Sequence, residues 1–276
     1  MTPDDRSPHS VVAVIFDWAG TVVDHGSLAP VAAIRQLFKE RGVSLTDEQI
    51  RKDMGLHKRD HIRRILSDPA VHELWAEACA APPNETDAQM LFEKMVEVQQ
   101  AVLREHSCLL PHVTDVVNEL RERGIKIGST TGYVRDMMAP LLESARQQGY
   151  APDCVVCADD VGGGRPFPWM MYSACVQLRV YPLWRCVKVG DTVSDVQEGL
   201  NAGAWTVGVW RTGNLVGMSA AEWSAQSRET QASLAQSATR TLEDAGAHFV
   251  VESIAELPAV IEQIDRQQAA SPNFRP

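Results

Sequence analysis

Asp17 ends an apolar run, Val11-Val12-Ala13-Val14-Ile15-Phe16, and is followed by Trp18-Ala19-Gly20-Thr21. Six apolar, largely β-branched residues without alternation suit a strand covered on both faces, as in the middle of a parallel sheet. Ligands of open α/β folds collect where such strands end. An aspartate delivered there could hold a cation or attack phosphorus, and one residue can do both. Three other segments carry reactive side chains at comparable points. Ser129-Thr130-Thr131-Gly132-Tyr133 places hydroxyls and a glycine before a helix, suited to donating to a phosphoryl oxygen or to capping that helix. Gly162-Gly163-Gly164-Arg165-Pro166 sets one fixed positive charge between flexible and rigid chain; Arg165 could grip a phosphoryl group through two donors or lie solvated on a loop. Gly190-Asp191-Thr192-Val193-Ser194-Asp195 bears two carboxylates four residues apart, which on a first helical turn would face one way. With Asp17 they would form a hard oxygen site fit for Mg²⁺; singly, each could serve only as a helix cap.

A fifth segment, Met54-Gly55-Leu56-His57-Lys58-Arg59-Asp60-His61, offers different chemistry. Gly55 lets backbone approach closely, Arg59 stands beside Lys58, and His61 would lie one helical turn on. A cationic neighbour and burial would both lower the lysine pKa, freeing a neutral amine to attack a carbonyl. The competing reading is a solvated helix face, because Arg51, Lys52, Lys58, Arg59, Arg63 and Arg64 crowd one stretch. His57 reads as an exposed neighbour. No aromatic interleaving accompanies the cluster, so nucleic acid is not an expected partner.

These residues need a frame. The chain has 276 residues, 45% of them hydrophobic, and a formal net charge of −10, which suits a large core and disfavours nucleic-acid or membrane-surface partners. No stretch of about 18 apolar residues occurs, and the first ten residues carry no apolar signal segment, so a cytoplasmic protein is expected. Six scattered cysteines read as reduced, buried thiols, with Cys154 and Cys157 on opposite faces of a strand.

After the first strand the spacing predicts helices over 30–41, from a capping box at 46–49, over 57–66 and 69–80, and a long helix capped at 86–89 that carries Leu91, Phe92, Met95, Val96, Val102 and Leu103. From Leu110 strands at 125–129, 154–157, 186–189, 206–209 and 248–251 alternate with helices at 113–123, 134–148, 168–178, 194–202, 220–243 and 254–264. The tail 267–276 is expected to fray, and the loop 210–217 receives no role. The pattern is an α/β fold: a doubly wound, Rossmann-like parallel sheet core of residues 1–25 and 106–276, with an all-helical cap domain of residues 26–105 inserted after the first strand.

A strand-end aspartate, a strand-end Ser/Thr, an Arg and an acidic pair, in that order along the whole chain, resemble the haloacid dehalogenase superfamily. The resemblance implies a helical cap closing over the core, with Mg²⁺ held by Asp17, the carbonyl of Ala19 and Asp191, and Asp195 as an auxiliary carboxylate. Phosphatases of that superfamily usually carry a second Asp two residues after the nucleophile to protonate a departing alkoxide. Here that position is Ala19, which has no proton to give.

Lys58 answers the difficulty. An imine on Lys58 would let the electrons of a breaking carbon–phosphorus bond move into an enamine, so no leaving oxygen needs an acid, while Asp17 takes the phosphoryl group and water later frees it. The motifs around Asp17, Met54 to His61, Thr130 to Tyr133, Arg165 to Trp169 and Asp191 to Asp195 are similar to the branch of the superfamily that splits such bonds. The resemblance implies a small phosphonate substrate carrying an aldehyde, acetaldehyde and phosphate as products, Mg²⁺ as cofactor and a homodimer. It further implies that Thr131, Gly132 and Arg165 hold phosphate, while Met54, Gly55, His61 and Tyr133 assist near Lys58. A phosphomonoesterase or sugar-phosphate mutase of the same superfamily, with Lys58 only binding anions, and a non-catalytic phosphometabolite sensor are the competing functions.

Overall fold

The computed structural model describes residues 10–270. Six strands form one parallel sheet: β1 (Ala13–Phe16), β2 (Lys126–Thr131), β3 (Cys154–Cys157), β4 (Cys186–Gly190), β5 (Trp205–Val209) and β6 (Phe249–Val251), in the order β3-β2-β1-β4-β5-β6. The chain therefore leaves β1 toward one edge and later crosses back to build the other. Where strand order reverses, the flanking connections diverge and leave a crevice beyond the strand's carboxyl end. Asp17 is the residue that follows β1 into that crevice.

Burial on both faces explains the unbroken apolar run. Val14 and Phe16 belong to the core that includes Val116, Val117 and Leu120 of α6 (Val113–Glu122), whereas Ala13 and Ile15 meet Met170, Met171 and Ala174 of α8 (Trp169–Leu178). Cys154 and Cys157 divide between the same two cores, as the two-residue period of a strand requires. All six cysteines are free, but Cys79 is only half-buried and Cys108 is exposed, so burial does not hold for those two.

Between β1 and β2 lie α1 (Leu28–Lys39), α2 (Asp47–Arg51), α3 (Lys58–Ser67), α4 (Pro69–Cys79) and α5 (Glu85–Glu105), with no strand among them. The long α5 packs across α1 and α3, and Phe38 meets Trp75 edge-on at 5.9 Å beneath it. Thr46 caps α2 through the expected box with Gln49. α5 departs from expectation, since Asn84, not Thr86, is its cap and exchanges hydrogen bonds with Asp87. Pro82-Pro83 delivers Asn84 in extended backbone, and Asn is among the strongest N-caps.

The remaining helices are α7 (Arg135–Gln147), α9 (Val193–Ala202), α10 (Ala220–Ala225), α11 (Arg228–Asp244) and α12 (Leu257–Ala270). The single helix expected over 220–243 is two, because Ser227 adopts extended backbone and caps a fresh start by accepting from the Thr230 amide. Residues 254–256 form a 3-10 turn ahead of α12. That helix runs to Ala270, so part of the tail expected to fray is ordered: Gln268 donates to the Trp184 carbonyl at 2.8 Å. Residues 271–276, like 1–9, lie outside the described residues. No described helix is long and apolar enough to cross a membrane.

Candidate active site

The carboxyl ends of β1, β2 and β4, together with the 52–57 turn and the start of α3, surround a narrow cleft. Asp17, Ala19, Met54, Gly55, Lys58, Thr131, Gly132, Tyr133, Arg165 and Asp191 line it. Two close approaches bring the helical segment down. Gly55 has φ +90°, and a side chain there would sit 2.5 Å from the Thr192 hydroxyl; a side chain at Gly132 would sit 2.5 Å from the Leu56 carbonyl. Glycine is required at both by contact, and at the first by conformation as well.

One wall is acidic. Carboxylate oxygens of Asp17, Asp191 and Asp195 lie within 4.8 Å of one another, all buried. Burial and mutual repulsion push the Asp17 and Asp191 carboxyls up, most strongly Asp191. Asp195 goes the other way despite its burial, because Arg165 and Lys188 hold it ionised. Asp191 receives the Asn214 amide at 2.7 Å on one oxygen, while its other oxygen is buried without a partner. A crowded hard-oxygen set with one orphaned acceptor fits a divalent cation. Asp191 precedes α9 rather than standing on its first turn; Thr192 is the cap, and Asp195 completes its capping box. The carboxylates thus converge because a strand end and a helix start meet, not through helical spacing.

Arg165 is buried and salt-bridged to Asp17 at 2.7 Å, Asp195 at 3.1 Å and Glu198 at 2.9 Å. These carboxylates hold its guanidinium firmly charged. It is no solvated loop residue. Lys188 extends the network to Asp195 at 2.9 Å and to the Thr130 hydroxyl at 3.1 Å. Thr131 spends its hydroxyl oxygen as acceptor for the Tyr133 amide at 3.1 Å, so it shapes the turn as well as facing the cleft. Glu198 and Lys188 were not singled out from the sequence. A lone lysine inside the buried strand Cys186-Val187-Lys188-Val189-Gly190 was a signal for the second, since a charge there demands a partner.

Lys58 also lines the cleft; it is the first residue of α3 and only 2% exposed, which rules out the solvated-face reading for it. Its ammonium lies 3.9 Å from the Met54 sulfur and 5.0 Å from the centroid of the Tyr133 ring, neither of which compensates a charge well. Burial lowers its pKa to about 8, with Arg165 pushing the same way and Asp17 and Asp191 opposing. The cationic neighbour is therefore Arg165, reached through the fold; the adjacent Arg59 instead lies over the Phe92 ring at 4.9 Å. The Tyr133 hydroxyl is buried without a partner, and desolvation keeps it protonated.

Two residues sit elsewhere than expected. His61 is fully buried but does not line the cleft: its Nε2 bonds the Ile50 carbonyl at 2.8 Å, and burial with Lys58 nearby lowers its pKa to about 3. A neutral His61 donating to Ile50 ties α3 to α2. His57 is half-buried rather than exposed and caps α3, its ring nitrogen accepting from the Arg59 amide.

The model of the haloacid dehalogenase-like hydrolases matches residues 14–209. A phosphonoacetaldehyde hydrolase of Bacillus cytotoxicus is 43% identical over 258 residues, covering 94% of this chain and 98% of the relative. One of Bacillus anthracis is 44% identical over 259 residues, with the same coverage. The crystal structure of a phosphonoacetaldehyde hydrolase-like protein from Oleispira antarctica superimposes with a TM-score of 0.95 at 40% identity, covering 100% of this chain and 99% of that one. The chain belongs to the haloacid dehalogenase-like hydrolases and, within them, to the phosphonoacetaldehyde hydrolase family.

Proposed function

We propose that this protein cleaves the carbon–phosphorus bond of phosphonoacetaldehyde with water, giving acetaldehyde and phosphate, through an imine on Lys58 and a phosphoryl group carried by Asp17. The observation that carries the reading is a buried lysine of lowered pKa facing the same cleft as Asp17, with alanine where an oxygen leaving group would need an acid. The names of relatives 43–44% identical over nearly the whole chain support it.

Neutral Lys58 attacks the aldehyde carbon; the adduct takes up a proton from solvent and loses water, forming an iminium. An oxygen of Asp17 then attacks phosphorus; the carbon–phosphorus electron pair moves into the adjoining bond and neutralises the iminium as an enamine. Protonation of the enamine carbon and hydrolysis of the imine return acetaldehyde and free lysine. A further water hydrolyses the aspartyl-phosphate, so one water is consumed overall. Thr131, Gly132 and Arg165 hold the phosphoryl oxygens, while Met54, Gly55 and Tyr133 enclose the aldehyde end. Asp17, Asp191 and the Ala19 carbonyl would hold Mg²⁺, with Asp195 auxiliary; the ion would supply positive charge that offsets the repulsion between the carboxylates and a phosphoryl group.

Residues 26–105 act as the cap over a core of residues 1–25 and 106–276, in a cytoplasmic enzyme. A homodimer is supported by exposed aromatic residues: Phe167, Trp169 and Tyr172 follow one another in ring contact, and Val176 continues their face of α8 at 77% exposure. Sedimentation at micromolar concentration should show two copies, and a monomer for Trp169→Glu.

Reduction with cyanoborohydride tests the chemistry. Substrate-dependent inactivation with an ethyl adduct on Lys58 is expected. Retained turnover in Lys58→Arg, which keeps charge but forms no imine, would favour an ester-cleaving enzyme instead.

A further inference from the structure

Arg51 lies seven residues before Lys58, at the end of α2, and its side chain reaches both Gly26, at the start of the helical segment, and the loop after β5 in the sheet domain. Its Nη1 donates to the Gly26 carbonyl at 2.9 Å and to the Asn214 side-chain oxygen at 3.0 Å; its Nη2 donates to the Gly217 carbonyl at 3.1 Å. Asn214 answers by donating its amide to the Arg51 carbonyl at 3.1 Å. The fit is close, since a side chain at Gly217 would meet the guanidinium carbon at 2.8 Å. These acceptors are uncharged, so what the half-buried cation gains here is position, not ion pairing.

Asn214 also touches the carboxylate wall, its backbone amide donating to Asp191 at 2.7 Å. Thr212, two residues earlier, donates its hydroxyl to the Gly20 carbonyl at 2.7 Å beside Asp17. The same loop thus bonds the carboxylate side and the helical segment. From Arg51 the connection to Lys58 is short: the Ile50 carbonyl takes the His61 ring bond, Ser194 donates to the Met54 carbonyl at 3.2 Å, and Arg165 donates to the Gly55 carbonyl at 3.4 Å.

We propose that Arg51 and Asn214 form a latch between the helical segment and the sheet domain, and that this pair sets the position of Lys58 opposite Asp17. Both are positioning residues and neither lines the cleft. The inference deepens the reading of Lys58 given above. It also gives the loop 210–217 a role.

Hydrogen–deuterium exchange without substrate tests the latch itself. Asn214→Ala keeps the backbone donor to Asp191 and removes only the side-chain link, and Arg51→Met removes the link from the other side. Each should speed exchange of residues 52–58 on the order of tenfold, the loss of a charge-assisted hydrogen bond. β1 and β4 should keep wild-type protection, and the double variant should be no worse than the poorer single one, because the two side chains act as a unit. Should Arg51→Met fail to fold, Asn214→Ala decides alone.

The second readout is the pH profile of cyanoborohydride trapping with phosphonoacetaldehyde. Unlatching admits water to Lys58, so the acidic limb should move up toward the ordinary lysine range in both variants. Wild-type exchange over 52–58 in both variants would overturn the latch. Faster exchange with an unmoved limb would overturn its role in positioning Lys58. Absence of trapping in the wild type would count against the imine and leave the exchange result to judge the latch.

Discussion

The pKa of Lys58 is the quantity on which the imine route turns. At about 8, the amine is neutral in roughly one molecule in ten at pH 7, against roughly one in three thousand for a lysine at its ordinary 10.5. The enzyme would gain about 300-fold in competent nucleophile at neutral pH. In Asp17→Asn, attack on phosphorus is blocked and the imine can be studied alone. Asp17 is the largest influence opposing the downward shift, so removing its charge should move the limb below the wild-type position. The assay is the rate of trapping by cyanoborohydride at saturating substrate between pH 5.5 and 9.5. The wild-type rate should rise close to tenfold per pH unit and level near pH 8. A rate flat across that range, or one still rising steeply at pH 9.5, would refute the argument. A limb in Asp17→Asn that moves upward would show that Asp17 does not face the amine.

Three other outcomes follow. Lys58→Met removes a buried charge, so besides abolishing trapping it should stabilise the fold by at most about 3 kcal/mol at pH 7. The sign is set by titration at about 8 in the folded chain and 10.5 in the unfolded one: the penalty is full below 8 and disappears as pH rises to 10.5, so the gain in melting temperature should shrink over that window. A variant no more stable than wild type at pH 7 would contradict it. Mg²⁺ should stabilise the fold by about 2.7 kcal/mol at a hundredfold excess over Kd, read as a rise in melting temperature. Asp191→Asn should melt higher than wild type without metal, one repelling carboxylate having gone, and lose the Mg²⁺ increment; an equal increment in both would remove Asp191 from the cation site. Finally, His106 at the end of α5 bonds Asp24 at 3.1 Å, and that bond raises its pKa. Its contribution is full below pH 6.5 and is lost as pH rises through the folded value, so His106→Gln should lower the melting temperature at pH 5.5 and change little at pH 8.5. Equal losses at both would show that the protonated pair adds nothing.

The sequence by itself determined the sheet, because the strand-forming runs are buried on both faces and local patterning is enough to mark them. It also marked the five segments that meet at the cleft, since Asp17, Thr131, Arg165 and Asp191 sit at strand ends or in the connections that follow them, and Ala19 is read directly from its place after Asp17. It could not assign partners to those charges. Arg59 adjoins Lys58 in sequence yet points to Phe92, while Arg165, more than a hundred residues away, is the cation that acts on it. His61 sits one turn from Lys58 but turns to Ile50. Arg51 looked like one member of a charged face and is instead bonded to a loop beyond β5. Periodicity fixes which way a side chain leaves its own element; what it meets depends on how distant elements pack, and electrostatic effects a few ångströms across are set only there. Tertiary structure therefore decided the lysine's burial, the convergence of three aspartates from the ends of β1 and β4 and the start of α9, and the contact of the helical segment with Arg165 and Ser194.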